Sequence, residues 1–255
     1  MPRQWWTALW ASLGYGLVLL GSLVAAVAYY PQFAQNIGKL KALAPLPVLR
    51  NLVSDLESGG LWAYIAGQQF FKGCNTLGTA AAVLFACGAI AGEANRGTLE
   101  IWLARPFSRT RLLLERYAAG ALALIVPVFL TTWSIPAQMR IFDVPGELSM
   151  GLLTRAAVHQ SALLLAIYSA TFAFSCGGRH PLRIAFGVLF ATTLMFALYL
   201  VENLTQYSLF RLADVARFMR MADHGLDAGL VGAMFGAAAI FLLIGWRVFT
   251  RRIPL

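Results

Sequence analysis

Long runs without a charged residue alternate with short charged clusters along this chain. No Asp, Glu, Lys or Arg occurs between Arg3 and Lys39. Further charge-free runs cover residues 73–92, 117–139, 156–178, 184–201 and 228–246. A helix rising about 1.5 Å per residue needs about 20 apolar residues to cross the hydrocarbon core of a bilayer. Backbone groups there must be satisfied within the segment, so the runs predict helices; barrel strands would read as alternating stretches of about 10 residues. The pattern predicts an all-α polytopic integral membrane protein with one transmembrane domain over residues 1–255. Its six transmembrane helices are expected at approximately 10–30, 66–92, 114–138, 156–177, 183–202 and 227–248.

The first run exceeds a bilayer crossing. Trp5, Trp6 and Trp10 suit an interfacial start, with the crossing itself near residues 11–30. Ala26-Val27-Ala28 resembles the small-residue cleavage site of a signal peptide. The single Arg ahead of it and the length of the apolar stretch predict a retained first helix instead.

Composition agrees with this pattern. Hydrophobic residues make up 59% of the chain and charged residues 12%, where a soluble domain averages about 25% charged. A soluble fold is excluded on that ground. Cys74, Cys87 and Cys176 lie in or beside apolar runs without CxxC spacing, which predicts buried thiols and no zinc or disulfide framework. His159, His180 and His224 are scattered, without metal-ligand spacing and outside any HExxH or GxSxG run.

Charge placement predicts the orientation. Six crossings put both termini on one side. If that side is cytoplasmic, the inner segments hold eleven Lys and Arg against Glu93, Glu100 and Glu115, and the outer segments hold eight basic and eight acidic residues. The loop from Arg96 to Arg116 and the tail from Arg247 to Arg252 carry the bias, so both termini are expected in the cytoplasm. The net charge of +9 then reflects orientation and contact with anionic lipid, and nucleic acid is not an expected partner.

The densest chemistry lies between the second and third helices, in Gly92-Glu93-Ala94-Asn95-Arg96-Gly97-Thr98-Leu99-Glu100-Ile101-Trp102-Leu103-Ala104-Arg105-Pro106-Phe107-Ser108-Arg109. Gly97 permits a sharp turn. Thr98 is placed to cap a short helix, with Glu100 in its first turn. Leu99, Trp102 and Leu103 fall at i, i+3 and i+4 and give that helix one apolar face. Pro106 ends it, and Ser108 can cap the helix that follows. Two readings fit: a surface helix satisfying its own amphipathicity, or a docking element for a cytoplasmic partner.

The run Glu93, Arg96-Gly97-Thr98-Leu99-Glu100, Pro106 and Ser108-Arg109 resembles the signature of ABC-2 type transporter permeases, bacterial ABC exporter subunits. In layout the resemblance covers the whole chain; in motif it covers this loop. Glu115 departs from it, standing where the family commonly has a basic residue beside Arg116. The resemblance implies a permease without its own ATPase, which fits the lack of a G-x-x-x-x-G-K-[ST] run. It implies a separate cytoplasmic ATP-binding subunit carrying ATP and magnesium, and a second permease copy or sister permease. It also implies a short cytoplasmic coupling helix formed by Glu93, Arg96, Gly97, Thr98, Leu99, Glu100, Trp102 and Arg105. No cofactor is expected in this chain. The resemblance implies a multi-pass protein of the bacterial inner membrane, and the excess of Arg over Lys, 17 to 3, suggests the codon bias of a GC-rich bacterial genome.

Lys72 follows Gln68 and Gln69 near the start of the second helix. A lysine at the bilayer centre costs about 2.5–3.5 kcal/mol. Either it snorkels to the outer headgroups, or it lines a substrate path with Gln68 and Gln69. Residues 206–221 alternate Phe210, Leu212, Val215, Phe218 and Met219 with Arg211, Arg217 and Arg220, which predicts an amphipathic helix at the outer interface. Pro127 and Pro136 are expected to bend the third helix. A membrane-embedded enzyme, or an anchor without transport, is the competing function. The enzyme would need facing polar groups inside the spans, where Lys72 is the one charged residue near an apolar run.

Overall fold

The computed structural model describes residues 2–43, 47–103 and 108–251, which form helices and connecting turns with no strand among them. Helix α1 (Pro2–Leu43) is 42 residues long and runs through Pro31. Its length of about 63 Å is twice the hydrocarbon thickness, so it continues well past the 10–30 crossing. Trp5, Trp6 and Trp10 are exposed along its start. Ala26 and Val27 are buried, and the Tyr64 hydroxyl donates to Ala26 O at 2.9 Å.

Helix α2 (Pro47–Ile65) is broken at Gly60, whose φ of 54° belongs to the left-handed region that glycine occupies without Cβ strain. It leads into a π-helical segment, Ala66–Gly78, and then α3 (Thr79–Ala89). Together they carry a span from Leu56 to Ala89. Nothing in the sequence announced the wide π turn, a rare geometry that is found mostly as single turns, frequently at functional sites.

Two short helices follow, α4 (Ala91–Asn95) and α5 (Thr98–Leu103). Helix α6 (Arg109–Trp133) opens with Ser108 as its N-cap, the hydroxyl accepting from Arg111 N at 3.2 Å. It passes through Pro127, and Thr131 Oγ1 donates to the Pro127 carbonyl at 2.8 Å. The chain then restarts as α7 (Ile135–Ile141), with Pro136 at its first turn where a missing N–H is harmless. Helices α8 (Met150–Gly177), α9 (Pro181–Leu200) and α11 (Ala228–Thr250) complete, among the described residues, six helices long and apolar enough to cross a membrane. Ser149 and Asp227 cap α8 and α11.

The expected single outer helix is instead split. Residues Thr205–Tyr207 and Leu209–Ala213 form 3-10 turns, and α10 (Val215–His224) follows. Asp214 makes the break: its backbone is extended, and its carboxylate accepts from Arg217 N at 2.9 Å, so it starts a new helix. Burial pushes the Asp214 carboxyl above its ordinary value, against that N–H and the charges of Arg217, Arg220 and Arg211.

Helix α8 is the central pillar. Of its most apolar stretch 67% is buried inside the protein, against 11% for α9. It packs on α11, α3 and α6. Several buried polar side chains pair across the bundle, which offsets the cost of their burial. Gln69 Nε2 donates to Thr131 Oγ1 at 2.8 Å. Gln160 Nε2 donates to Asn75 Oδ1 at 2.9 Å, and Asn75 Nδ2 to Ala213 O at 3.1 Å. The π-helical segment is thereby tied to α6, to α8 and to the turn before α10. Helix α10 is held in turn by Phe218, which stacks on Phe70 at 4.7 Å and whose carbonyl accepts from Trp62 Nε1 at 2.8 Å.

Candidate coupling site

Between α3 and α6 the chain makes a compact polar knot. Helix α4 ends at Arg96, whose N–H donates back to Gly92 O at 3.3 Å. Gly97 follows with φ 69°, the left-handed backbone that stops a helix. Helix α5 then leaves in a new direction, with Leu99 only 3% exposed. Thr98 was expected to cap α5 from in front. It is instead the first residue of α5, and its hydroxyl turns back and donates to the Glu93 carbonyl at 3.2 Å and to the Glu93 carboxylate.

Glu93 is the centre of the knot. Arg116, on the first turns of α6, places Nη1 3.6 Å from Glu93 Oε1. The same Nη1 donates to Ala89 O at 2.7 Å, the exposed end of α3. The Arg116 side chain is 6% exposed and that of Glu93 21%, so solvent screens this pair less than a surface one. Burial alone would raise the Glu93 carboxyl. The Thr98 hydroxyl and the Arg116 and Arg96 charges outweigh it and hold the group below its ordinary value.

Two more ties anchor the knot. The Ser175 hydroxyl near the end of α8 accepts from Ala91 N at 2.9 Å and Ile90 N at 3.3 Å, and donates to Cys87 O at 3.1 Å. These are the orphan donors of a helix start, satisfied from a neighbouring helix. At the other side of the loop, Arg109 Nη1 donates to Thr250 O at 3.0 Å, and Trp246 Nε1 donates to Thr110 Oγ1 at 3.0 Å, binding α6 to the end of α11.

The structure therefore brings together Glu93, Arg96, Gly97, Thr98 and Leu99. Arg105 and the side chains of Glu100 and Trp102 lie outside the described residues. Arg116 and Ser175 were not among the sequence-derived site residues. In the sequence Arg116 stands out only as the neighbour of Glu115, and Glu115 itself pairs with Arg111 at 2.9 Å, one turn back. Ser175 lies more than 80 positions from its partners and carries no local signal.

Gln68, Gln69 and Lys72 do not form one cluster. Gln69 is buried and bonded to α6, whereas Lys72 is exposed on the bundle surface with Nζ 3.4 Å from Gln68 Oε1.

A bundle of six apolar helices, with a largely buried ion pair at the turn between the second and third, is the architecture of a multi-pass membrane protein. The family model for ABC-2 family transporter proteins matches residues 7–252, and the chain belongs to that family: it is a membrane permease subunit of an ABC transporter. Comparison with curated proteins yields no match.

Proposed function

We propose that this permease is the membrane half of a bacterial inner-membrane exporter, driven by a separate cytoplasmic ATP-binding subunit that docks on the Glu93–Leu103 loop. The observation that carries this reading is the bracing of that loop. A docking element must pass force into the membrane. The Glu93 knot is fixed to α6 through Arg116 and to α8 through Ser175, so a load on α4 or α5 reaches two spans directly. Both termini lie in the cytoplasm on this reading, as the basic loop and tail favour.

A second copy, identical or a sister permease, completes the transport path. Lys72 supports this. Exposed on the surface of a single bundle, it would face lipid at a cost of about 2.5–3.5 kcal/mol if near the bilayer centre. Facing a second bundle, Lys72 and Gln68 would instead line a polar path between copies.

The test is co-purification of the tagged chain in mild detergent with its ATPase, followed by transport and ATP hydrolysis in proteoliposomes. Glu93→Ala and Gly97→Pro are expected to leave membrane insertion intact and ATP hydrolysis running while transport falls at least tenfold. Wild-type transport by both variants would refute the coupling role, and a chain that never carries an ATPase would refute the partner.

A further inference from the structure

A second polar feature lies at the opposite end of the bundle from the Glu93 knot. Helix α10, the α10–α11 corner and the first half of α8 border a half-open cavity of about 460 Å³ lined by His159, Arg217, Arg220, His224 and Asp227 among others. Arg155 borders it: its Nη1 lies 3.3 Å from where a side chain on Gly225 would begin, and Gly225 itself has φ 75°. The corner is thus folded so that a guanidinium comes close to backbone.

The charge of this cavity is unbalanced. Arg217 and Arg220 line it and Arg155 borders it, against Asp227, 3.6 Å from Arg217 Nη1 and beyond direct hydrogen-bond distance, and the half-buried Asp214, which feels the charges of Arg217 and Arg220. Among the described residues, the hydrogen bonds of the Arg155 and Arg220 guanidinium groups go to their own helices, Nε to Gly151 O at 3.2 Å and Nε to Ala216 O at 3.3 Å. Their outer N–H groups are those that suit phosphate oxygens.

His159 adds a second, independent requirement. Its ring is 1% exposed and held edge-on against Phe218 at 5.5 Å. Nε2 lies 2.7 Å from Leu212 O. A carbonyl only accepts, so Nε2 carries the proton and Nδ1 of the neutral ring is an acceptor. Nδ1 has no hydrogen-bond partner among the described residues. His159 lines the cavity with this acceptor unfilled and closed to bulk solvent, so a ligand with both an anionic group and a hydroxyl would satisfy it together with the arginines.

We propose that this cavity is a binding site for a phosphate ester carrying a free hydroxyl, with Arg217, Arg220 and Arg155 taking the phosphate and His159 Nδ1 accepting from the hydroxyl. Depth fits such a ligand. His159 lies three residues into the expected 156–177 crossing, about 4–5 Å along the helix, which on that reading puts the site at headgroup level with Arg155 just outside the charge-free run. On the orientation proposed above, the site opens to the outside. Its ligand binding does not depend on that orientation or on an ATPase.

The test uses the full-length chain in detergent, with binding read by native mass spectrometry and by thermal shift. The probes are phosphatidylglycerol, phosphatidylmethanol, phosphatidylethanolamine and soluble sn-glycerol 3-phosphate. Phosphatidylglycerol is expected to bind at least tenfold more tightly than the zwitterionic phosphatidylethanolamine. It should also exceed phosphatidylmethanol, which keeps the charge and lacks the hydroxyl. Arg217→Gln and Arg220→Gln should each weaken phosphatidylglycerol about tenfold, and His159→Phe should erase its advantage over phosphatidylmethanol. Arg220 is exposed, so Arg220→Gln keeps the test valid if another variant fails to fold. Competition by glycerol 3-phosphate would assign the site to soluble phosphate esters as well as lipids; phosphatidylglycerol binding without that competition would assign it to a lipid headgroup. No binding by any anionic probe, or undiminished phosphatidylglycerol binding by Arg220→Gln, overturns the proposal.

Discussion

Removing the Glu93 carboxylate while keeping its shape, as Glu93→Gln, isolates what the knot contributes. Two unit charges 3.6 Å apart attract by roughly 5 kcal/mol at an effective dielectric of 20. Desolvation of the nearly buried Arg116 offsets much of this, and the one-fifth exposure of Glu93 screens part of the remainder. A net coupling of about 1–2 kcal/mol is left. The assay is a double-mutant cycle with Glu93→Gln, Arg116→Met and the pair, read by thermal unfolding of the purified chain. Each kcal/mol corresponds to a shift of about 2–4 °C for a chain of this size. The two single losses should overshoot the double loss by that coupling. The sign with pH follows from the lowered carboxyl: the coupling is fully present above the unfolded glutamate value of about 4.3 and is lost as pH falls through the still lower folded value. Additivity within about 0.3 kcal/mol, or a coupling that grows on acidification, would refute the assignment of Glu93 and Arg116 as partners.

Three further outcomes are expected. Ser175→Ala strands two buried N–H donors at the start of α4 and should cost about 2–4 kcal/mol, seen as a lowered melting temperature and faster protease cleavage between α3 and α6; unchanged values would show that α4 does not depend on α8. Gly97→Ala should cost about 1–2 kcal/mol because of its positive φ, and Gly97→Asn less, since Asn tolerates that region; equal melting of all three proteins would contradict the turn geometry. Asp214→Asn keeps the cap and removes a charge that burial disfavours, so it should raise the melting temperature at pH 7. That gain should vanish as pH falls below the ordinary aspartate value of about 3.9, where the native group is protonated in both states; a loss of stability at pH 7 would reverse the sign assigned to Asp214.

The six crossings were legible because charge is excluded from a bilayer more strictly than any propensity acts in water, so each gap between clusters marks a span. The Glu93–Thr98 turn was legible too, since Gly97 and its charged neighbours are local signals. What escaped is what distance and competition decide. The π turn over Ala66–Gly78 carries Gln69 and Asn75, whose partners lie on α6, α8 and the turn before α10, and no window around residue 70 contains them. Asp214 looked like one more charge in an amphipathic stretch until its extended backbone made it a helix start. Ser175 resembled any small residue of an apolar helix, and only its contact with Ile90 and Ala91 gives it a task.

That contact has a mechanical consequence. Helix α8 runs 28 residues from Met150 to Gly177, about 42 Å, with no proline and no glycine between Gly151 and Gly177. A rod without a joint does not bend a push away; it delivers it to the far end. Near one end, Ser175 clasps the Glu93 turn, and toward the other Arg155 and His159 border the arginine-lined cavity. The Ser175 clasp and the Arg155–His159 edge of the cavity are therefore joined by one unbroken helix of 28 residues, with no loop between them.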